Sequence, residues 1–446
     1  MKSAFGRRSW LRPEPVLILL GLVGMAVVLP HHISGDGHSR YRELVELFDH
    51  GRLSNDSYSM VGPLFAWPFW AAGELAGSRQ DWLAQFNLVL FALTLAVIYG
   101  LLRDRMDRAL LWRFLLLLTA GSMVAAHVTD FYGEMFTAAC VAVGVLVALV
   151  RSRAVTGWVL VVIGAVNTPA SFVGLGLLSA ERTISRRRLR YFGVGLAGVA
   201  LIMGEAWLRR GGPFVTGHGG PTALPRTLLP YSGMAGFSYP FPLGVLAILL
   251  SFSKGLVFFV PGLLLPVRRR LAVLHDRDRV DLFRAYLLWL LFLAGLVVVY
   301  ASWWAWYGGV YWGPRFFLIA VFPASLALAV AVTYRHAGPL ADLATLALLG
   351  LSLWVGATSS VLHVVQPPFC ADPVLERLCL HVPEISPLWY PLVDPPRLGA
   401  GEAAYLAYLA AVLAVLAAPV LRRLPGKLQP WLAATRPYRS RAAWRL

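Results

Sequence analysis

Apolar runs of about twenty residues recur along the whole chain, and this pattern limits the fold more than any other feature of the sequence. An α-helix needs a run of that length to cross the hydrocarbon core of a bilayer, whereas a membrane β-barrel shows short strands of alternating polarity. Hydrophobic residues make up 58% of the chain and charged residues only 14%, which excludes an ordinary soluble domain. The pattern predicts an all-α polytopic membrane protein with about 12 transmembrane helices in a single domain, 1–446, with no separate soluble domain.

The apolar runs predict these spans: 15–30, 82–102, 109–126, 134–150, 156–166, 169–180, 191–208, 243–266, 283–301, 316–333, 340–362 and 402–421. Asn167 and Thr168 separate two short spans, and Pro169 opens the second of them. This pair is either a tight helical hairpin or a re-entrant pair, because irregular backbone is tolerated at membrane depth where it lines a cavity.

Basic residues cluster in short segments between the apolar runs and predict the orientation of the chain. With the N-terminus inside, the cytoplasmic segments carry 29 of the 40 lysine and arginine residues, as the positive-inside rule requires. Both termini are then cytoplasmic, and the long loops 31–81, 209–242 and 363–401 are extracytoplasmic. This placement accounts for the net charge of +17, so a lipid bilayer is the expected partner and nucleic acid is not.

The first outer loop, 31–81, contains two stretches that are expected to lie on the membrane surface. Four apolar residues recur at helical spacing: Tyr41, Leu44, Val45 and Phe48. The opposite face is expected to be charged: Arg42, Glu43, Glu46 and Asp49. This alternation predicts an amphipathic helix. The segment 61–75 is apolar enough to span, but a span there would invert everything after it, so it is predicted as a second interfacial helix.

Polar and aromatic residues gather at four places on the predicted outer side. They are Asp36, His38, Arg40 and Tyr41; Asp130, Tyr132 and Glu134; Lys254; and Tyr307, Tyr311 and Arg315. A charge within a span costs roughly 2.5–3.5 kcal/mol on insertion scales and is normally kept for function. Lys254 and Arg315 therefore either extend towards the headgroups or form a pair of fixed cations for a phosphate near the outer leaflet.

Asp36 is placed to take a proton from an incoming nucleophile, in a reaction that has a good leaving group such as a lipid phosphate. His38 either assists or is an ordinary interfacial histidine. Glu134 either orients a sugar hydroxyl or caps the helix that begins beside it. These residues are too few to form a metal site, so no cofactor is indicated, and a divalent metal is possible without being required.

The three cysteines fall into two groups. Cys140 lies in an apolar run and is interpreted as a small hydrophobic residue. Cys370 and Cys379 lie in one polar loop, and whether they form a disulfide depends on that loop facing an oxidising compartment.

Five sequence features occur in order along most of the chain. GDGHSRY opens a long first loop, DFYGEMF supplies a second acid, GAVNTPASF breaks a helix pair, and FSKGLVFFVPGLLL and WYGGVYWGPRFF follow. In these features the chain resembles the GT-C superfamily of membrane glycosyltransferases, particularly bacterial relatives of the protein O-mannosyltransferase and aminoarabinose transferase group.

The resemblance implies a function and roles for several residues. The first-loop aspartate of such enzymes is the catalytic base, which implies that role for Asp36, and basic residues hold the lipid phosphate, which implies Arg40, Lys254 or Arg315. The expected protein is an inverting hexosyl- or pentosyltransferase of the bacterial plasma membrane. It would move a sugar from a polyprenyl-phosphate donor to a glycan, lipid or protein acceptor of the cell envelope, at an extracytoplasmic site.

Two other classes of protein fit the spans. A transporter or flippase of lipid-linked sugars has a similar number of helices, but the polar residues here gather at one face and no matched halves are evident. A non-catalytic scaffold leaves the outer acids and cations unexplained.

Overall fold

The computed structural model describes residues 12–150, 154–215, 217, 234, 236–274, 280–309, 311–363, 370 and 376–428. Helices and loops account for all of these residues, and no strand occurs among them. Parts of several predicted segments lie outside the described residues: 1–11, 151–153, 218–233, 364–369, 371–375 and 429–446.

The α-helices, in chain order, are α1 (Pro13–Val28), α2 (Gly35–Phe48), α3 (Val61–Phe65), α4 (Trp67–Ala76), α5 (Arg79–Ala84), α6 (Phe86–Leu102), α7 (Arg108–Ala120), α8 (Ala125–Val128), α9 (Gly133–Leu149), α10 (Ala154–Asn167), α11 (Phe172–Arg186), α12 (Arg190–Arg210), α13 (Phe241–Leu250), α14 (Leu256–Phe259), α15 (Arg268–Leu274), α16 (Leu282–Tyr300), α17 (Val321–Thr333), α18 (Pro339–Thr358), α19 (Glu376–Cys379), α20 (Tyr390–Val393) and α21 (Ala400–Arg423). Short 3-10 helices are Pro169–Ser171, Pro261–Leu264, Arg315–Ala320 and Pro383–Ile385.

Six helical stretches among the described residues are long and apolar enough to cross a membrane. They are Arg79–Leu102, Arg190–Arg210, Leu282–Tyr300, Arg315–Thr333, Pro339–Thr358 and Ala400–Leu428. The chain is therefore an all-α protein with the helices of an integral membrane protein, as predicted. The figure of 12 spans is not confirmed, because α1, α9, α10 and α13 are apolar but shorter.

The predicted span 243–266 is not one helix. α13 ends at Leu250, the chain is irregular through Ser251–Gly255, and α14 is followed by the 3-10 helix Pro261–Leu264. Pro261 cannot donate a backbone hydrogen bond and clashes with the preceding turn, which ends α14. Hydrophobicity alone does not distinguish such a broken segment from a continuous helix.

The first loop is helical where the sequence predicts helices, with three differences. α2 begins at Gly35, six residues before Tyr41, the first residue of the predicted pattern, so that Asp36 lies in its first turn. Glu43 was expected on the charged outer face but is buried, because it pairs with Arg209 of α12. The stretch 61–75 forms two helices rather than one, because Pro68 has no N–H for the carbonyl of Leu64.

Small residues allow the helices to pack closely around α9, which is almost entirely buried. A Cβ atom on Gly157 would lie 2.2 Å from the backbone nitrogen of Ala148, so α10 approaches α9 backbone to backbone. Gly174 of α11 and Gly295 of α16 form a second contact of the same kind. Such contacts are typical of helix packing in membranes.

Several helix ends meet near Asp36, and we call this region the Asp36 end of the molecule. It contains the N-termini of α2 and α9 and the C-termini of α10, α12 and α16, together with the start of Arg315–Ala320. It is therefore where side chains from distant parts of the sequence can meet.

Candidate functional site

Arg315 binds two acids at the Asp36 end. Its Nη2 donates to Oδ2 of Asp36 at 2.5 Å, and its Nη1 lies 3.4 Å from Oε1 of Glu134. Its Nε donates to the carbonyl oxygen of Gly308 at 2.8 Å, which fixes the plane of the guanidinium. We call Asp36, Glu134 and Arg315 the Arg315 cluster.

Aromatic rings enclose the guanidinium. The Cζ of Arg315 lies 4.3 Å from the ring centre of Tyr311, 5.1 Å from that of Phe316 and 5.4 Å from that of Tyr132. A planar, delocalised cation can stack on rings and still use its edge for hydrogen bonds, whereas an ammonium group cannot. The rings therefore hold the cation while its edge faces the two acids.

The two carboxylates are more accessible than the cation they share. The side chains of Asp36 and Glu134 are 18% and 12% exposed, whereas that of Arg315 is 5% exposed. Burial and the charge of Asp36 raise the pKa of the phenols of Tyr58 and Tyr311, which keeps both protonated. The cluster therefore offers carboxylate acceptors to a ligand beside neutral phenol groups.

Asp130 fixes the start of α2. Its Oδ1 accepts from the backbone N–H of Ser34 at 3.2 Å and from that of Phe131 at 2.6 Å, and its Oδ2 accepts from the Ser34 hydroxyl. Burial raises the pKa of Asp130, although the hydrogen bonds from Ser34 lower it in part. Behind it, the side-chain amide of Asn87 donates to the carbonyls of Asp130 and Tyr132 at 2.7 and 2.9 Å. Asp130 therefore positions Asp36 from behind.

Steric contacts explain why glycine stands on either side of Asp36. Gly35 has φ +45°, and a Cβ there would overlap the hydroxyl of Tyr311. A Cβ on Gly37 would lie 2.4 Å from Oδ1 of Asp130. The sequence Gly-Asp-Gly thus lets the start of α2 fit between the loop that precedes Arg315 and the loop that precedes α9.

Asn167, at the break between α10 and α11, anchors the start of α9. Its Oδ1 accepts from the backbone N–H of Gly62 at 2.9 Å, and its Nδ2 donates to the carbonyl of Gly133 at 2.8 Å and to the Thr137 hydroxyl at 3.0 Å. Because Gly133 precedes Glu134, this amide sets where the second acid stands. The broken pair consists of two helices joined through Pro169–Ser171.

Lys254 is buried beneath the loop that leads to Arg315. Its ammonium group donates to the carbonyls of Gly309 and Gly313, both at 3.0 Å, and to that of Tyr311. An ammonium has three N–H donors, and these three carbonyls can accept all of them. Lys254 therefore holds the loop in shape and places Tyr311 against Arg315.

The other predicted residues of α2 lie on two different faces of that helix. Arg40 shares the face of Asp36, where it is buried, donates to the carbonyl of Ser59 at 3.2 Å and stacks 5.2 Å from the ring centre of Tyr58. Tyr41 and the exposed His38 lie on the other face, with Tyr41 5.9 Å from Trp70. The structure does not bring these two to the Arg315 cluster.

Tyr307 lies in the same loop as Tyr311 but packs elsewhere. It is buried, and its ring is edge-on to Trp306 at 5.7 Å between ring centres.

Sequence reasoning missed the end of α12. Arg209 pairs with the buried Glu43 and with Glu205 at 3.0 Å, and it donates to the carbonyls of Ser54 and Tyr58. Burial raises the pKa of Glu43 to about 7, although the positive charge of Arg209 acts to lower it. These bonds hold the loop that carries Tyr58. The sequence signal is the i, i+4 spacing of Glu205 and Arg209 at the end of the apolar run 191–208.

The question of the disulfide is resolved, since Cys370 and Cys379 are bonded. The loop around Cys379 lies over the irregular segment 251–255. The hydroxyl of Ser253 donates to the carbonyl of Cys379 at 3.0 Å, and that of Ser386 donates to the carbonyl of Phe252 at 2.6 Å. Through Lys254, the disulfide-bonded loop therefore rests against the same structure that carries Arg315.

The described residues contain no group of three or more His, Cys, Asp or Glu side chains that could hold a metal ion. Comparisons of the chain with protein-family models, curated proteins and solved structures found no match. Chemically, the Arg315 cluster can accept a proton at either acid and can present a fixed cation to an anion.

Proposed function

We propose that the chain is a membrane glycosyltransferase that moves a sugar from a polyprenyl-phosphate donor to an acceptor of the cell envelope, with inversion at the anomeric carbon. One observation carries the proposal. Two partly exposed carboxylates, Asp36 and Glu134, meet on one buried arginine at an end of a bundle of apolar helices. The resemblance to GT-C enzymes described above suggests the same role for Asp36.

In the proposed reaction Asp36 takes the proton of the acceptor hydroxyl as its oxygen attacks the anomeric carbon. The bond between that carbon and the phosphate oxygen breaks, and the phosphate leaves with the electron pair. Glu134 is assigned to a hydroxyl of the donor sugar.

The phosphate is assigned to Arg315 and Arg40. Nη1 of Arg315 and Nε of Arg40 are buried donors without a hydrogen-bond partner among the described residues, although Nη1 lies near Glu134. Arginine suits a phosphate because its donors form a planar fork. Lys254 is assigned to the loop rather than to the phosphate, since its ammonium already donates to three carbonyls.

The disulfide supports placing this site outside the cytoplasm. Disulfides form in oxidising compartments, and the loop of Cys379 packs on the segment whose Lys254 holds the loop before Arg315. This agrees with the orientation predicted from the basic segments. We infer that the Asp36 end is extracytoplasmic and that both termini are cytoplasmic.

Transfer from radiolabelled polyprenyl-phosphate sugars, supplied one at a time to the purified protein in lipid nanodiscs, tests the proposal. Asp36→Asn should retain donor binding and lose about 10²- to 10⁴-fold in turnover, the range for loss of a general base. Asp49→Asn is the matched control, because Asp49 is exposed at the far end of the same helix and should leave turnover unchanged.

Two results would reject the proposal. One is equal transfer by Asp36→Asn and the native protein. The other is movement of lipid-linked sugar across the membrane that survives Asp36→Asn while no donor gives transfer, which would assign the chain to the transporters.

A further inference from the structure

A second polar site lies between α11 and α12. Arg182 is 3% exposed, yet its Nε and Nη1 have no hydrogen-bond partner among the described residues. The hydroxyl of Ser179, one turn earlier on the same helix, and the indole N–H of Trp158 on α10 are also buried without a partner there. Buried polar groups are normally satisfied, so several unpaired donors in one place call for a ligand.

These donors share neighbours on α12. The ring centre of Tyr191 lies 5.9 Å from Cζ of Arg182 and 5.8 Å from the ring centre of Trp158. One turn further along α12, a Cβ on Gly195 would lie 3.3 Å from the Ser179 hydroxyl. Arg182, Ser179 and Trp158 therefore face the same short stretch of α12.

This site is far from the Arg315 cluster. α12 runs from Tyr191, beside Arg182, to Arg209, which holds the loop of Tyr58 at the Asp36 end. At 1.5 Å per residue, these two positions are about 27 Å apart. That distance is close to the thickness of the hydrocarbon core, so the two sites belong to opposite boundaries of a bilayer.

The surroundings are strongly positive. Arg186, Arg190 and Arg284 are near enough to act on Arg182 or Tyr191. The neighbouring acid, Glu181, pairs with Arg284 through Oε1 at 3.0 Å, while its Oε2 is buried without a hydrogen-bond partner among the described residues and its charge also acts on Arg182. The local field therefore favours an anion.

The surface beside the site is apolar. Its exposed side chains are Ile184 on α11, Leu189 just before α12, and Phe192 and Leu196 on α12. α12 is a candidate span of which only 17% is buried, so acyl chains can lie along it.

We propose that Arg182, Ser179 and Trp158 bind the phosphate of an anionic phospholipid at the boundary opposite the Arg315 cluster. All three supply donors, as a phosphate requires, and arginine forms the strongest such bonds. Basic sites between membrane helices on the cytoplasmic side bind lipid headgroups in this way. The site is separate from the proposed transfer reaction.

The test measures lipid binding to the purified full chain in non-ionic detergent by native mass spectrometry. The ligands are phosphatidylglycerol, diacylglycerol, which has the same tails without the phosphate, and inorganic phosphate. Arg182→Gln should bind phosphatidylglycerol about tenfold more weakly, as expected for lost hydrogen bonds to a charged group. Arg188→Gln, which removes the same charge from an exposed position in the same segment, should change binding by less than about twofold.

A second measurement separates binding from a structural role. Without lipid, Arg182→Gln should not lower the thermal unfolding temperature, because the cost of burying a guanidinium with two unpaired donors outweighs its contact with the Tyr191 ring. Phosphatidylglycerol should raise that temperature in the native protein alone. Ser179→Ala and Trp158→Phe each remove one donor and should weaken binding about three- to tenfold, which keeps the test valid if Arg182→Gln fails to fold.

Three outcomes would overturn the proposal. Equal losses of phosphatidylglycerol binding in Arg182→Gln and Arg188→Gln would show that binding depends only on the general charge of the segment. Equal binding of diacylglycerol and phosphatidylglycerol would show that the site does not recognise the phosphate. Arg182-dependent protection by inorganic phosphate, with none by the lipid, would assign the site to a soluble anion.

Discussion

Arg315 lies between two acids that are far from it in the sequence. It donates to Asp36, stands 3.4 Å from Glu134 and stacks on Tyr311, while its Nε is used by the carbonyl of Gly308. These contacts depend on a planar group with donors on several edges. The identity of this residue, and not only its charge, therefore determines the geometry of the cluster.

Arg315→Lys should fold but lose transfer about 10- to 100-fold, because an ammonium group cannot reach both acids and the Gly308 carbonyl while stacked on Tyr311. The measurement is turnover at saturating donor, together with the apparent donor affinity. Arg113→Lys is the control, since Arg113 donates to Thr333 away from the Asp36 end. Native turnover in Arg315→Lys would show that charge alone suffices.

At the scale of elements, the site is held by contacts behind its working residues. Lys254 binds the loop before Arg315, Asn167 binds the start of α9, and Arg209 binds the loop that carries Tyr58. Each support comes from a helix end or a break in a helix, where unpaired backbone groups need partners. Irregular segments among apolar helices therefore shape the site here.

Lys254→Met should lower stability and, beyond that, lower transfer per folded molecule, because three carbonyls lose their donor. The bond to Gly313 is buried and those to Gly309 and Tyr311 are partly buried, and a buried acceptor left without its partner costs roughly 1–3 kcal/mol. The measurements are the unfolding temperature in detergent and turnover normalised to folded protein. Lys427→Met is the matched control. The ammonium of Lys427 also has three acceptors, which are the carbonyl oxygens of Arg335 and Ala337 and Oδ2 of Asp342. This variant should lose stability without that extra loss of turnover. Equal turnover in both variants would contradict a role for Lys254 in the site.

At the scale of the whole molecule, the Asp36 end and the Arg182 site lie at opposite ends of α12. The proposed orientation places the first outside the cytoplasm and the second inside. The disulfide and the distribution of basic residues both support this arrangement.

A membrane-impermeant maleimide should label His38→Cys on intact cells and Arg188→Cys only after the membrane is opened, because both residues are exposed at opposite ends of the molecule. Cys140→Ala removes the free thiol from the background, and native Cys370 and Cys379 are protected by their bond. The reverse labelling pattern would invert the orientation and place the site in the cytoplasm.

The helical class and the residues of the cluster could be predicted because each depends on local sequence. Apolar runs predict helices, and Asp36, Glu134 and Arg315 are candidates because each is a charge beside such a run. Their association could not be predicted, since Asp36 and Arg315 are 279 residues apart and spacing carries no information about such pairs. The same holds for Glu43 and Arg209.

The role of Lys254 shows a different limit. A lysine in an apolar run indicates a buried partner, but the sequence does not say whether that partner is a ligand or the backbone. Its acceptors are carbonyls at glycine-rich positions, and every residue has a carbonyl, so no residue type marks them.

Asp36 and Glu134 together carry one charge more than the guanidinium they share, and Arg40, on the same face of α2 as Asp36, supplies the balancing charge. A donor phosphodiester carries a single charge, whereas the phosphate monoester left after transfer carries about −1.5 to −2. Arg315 and Arg40 should therefore attract the spent lipid more strongly than the loaded one, and the stronger repulsion from Asp36 and Glu134 should offset that attraction. The acids that start the reaction would then also help to eject its by-product, so that the carrier is recycled rather than trapped.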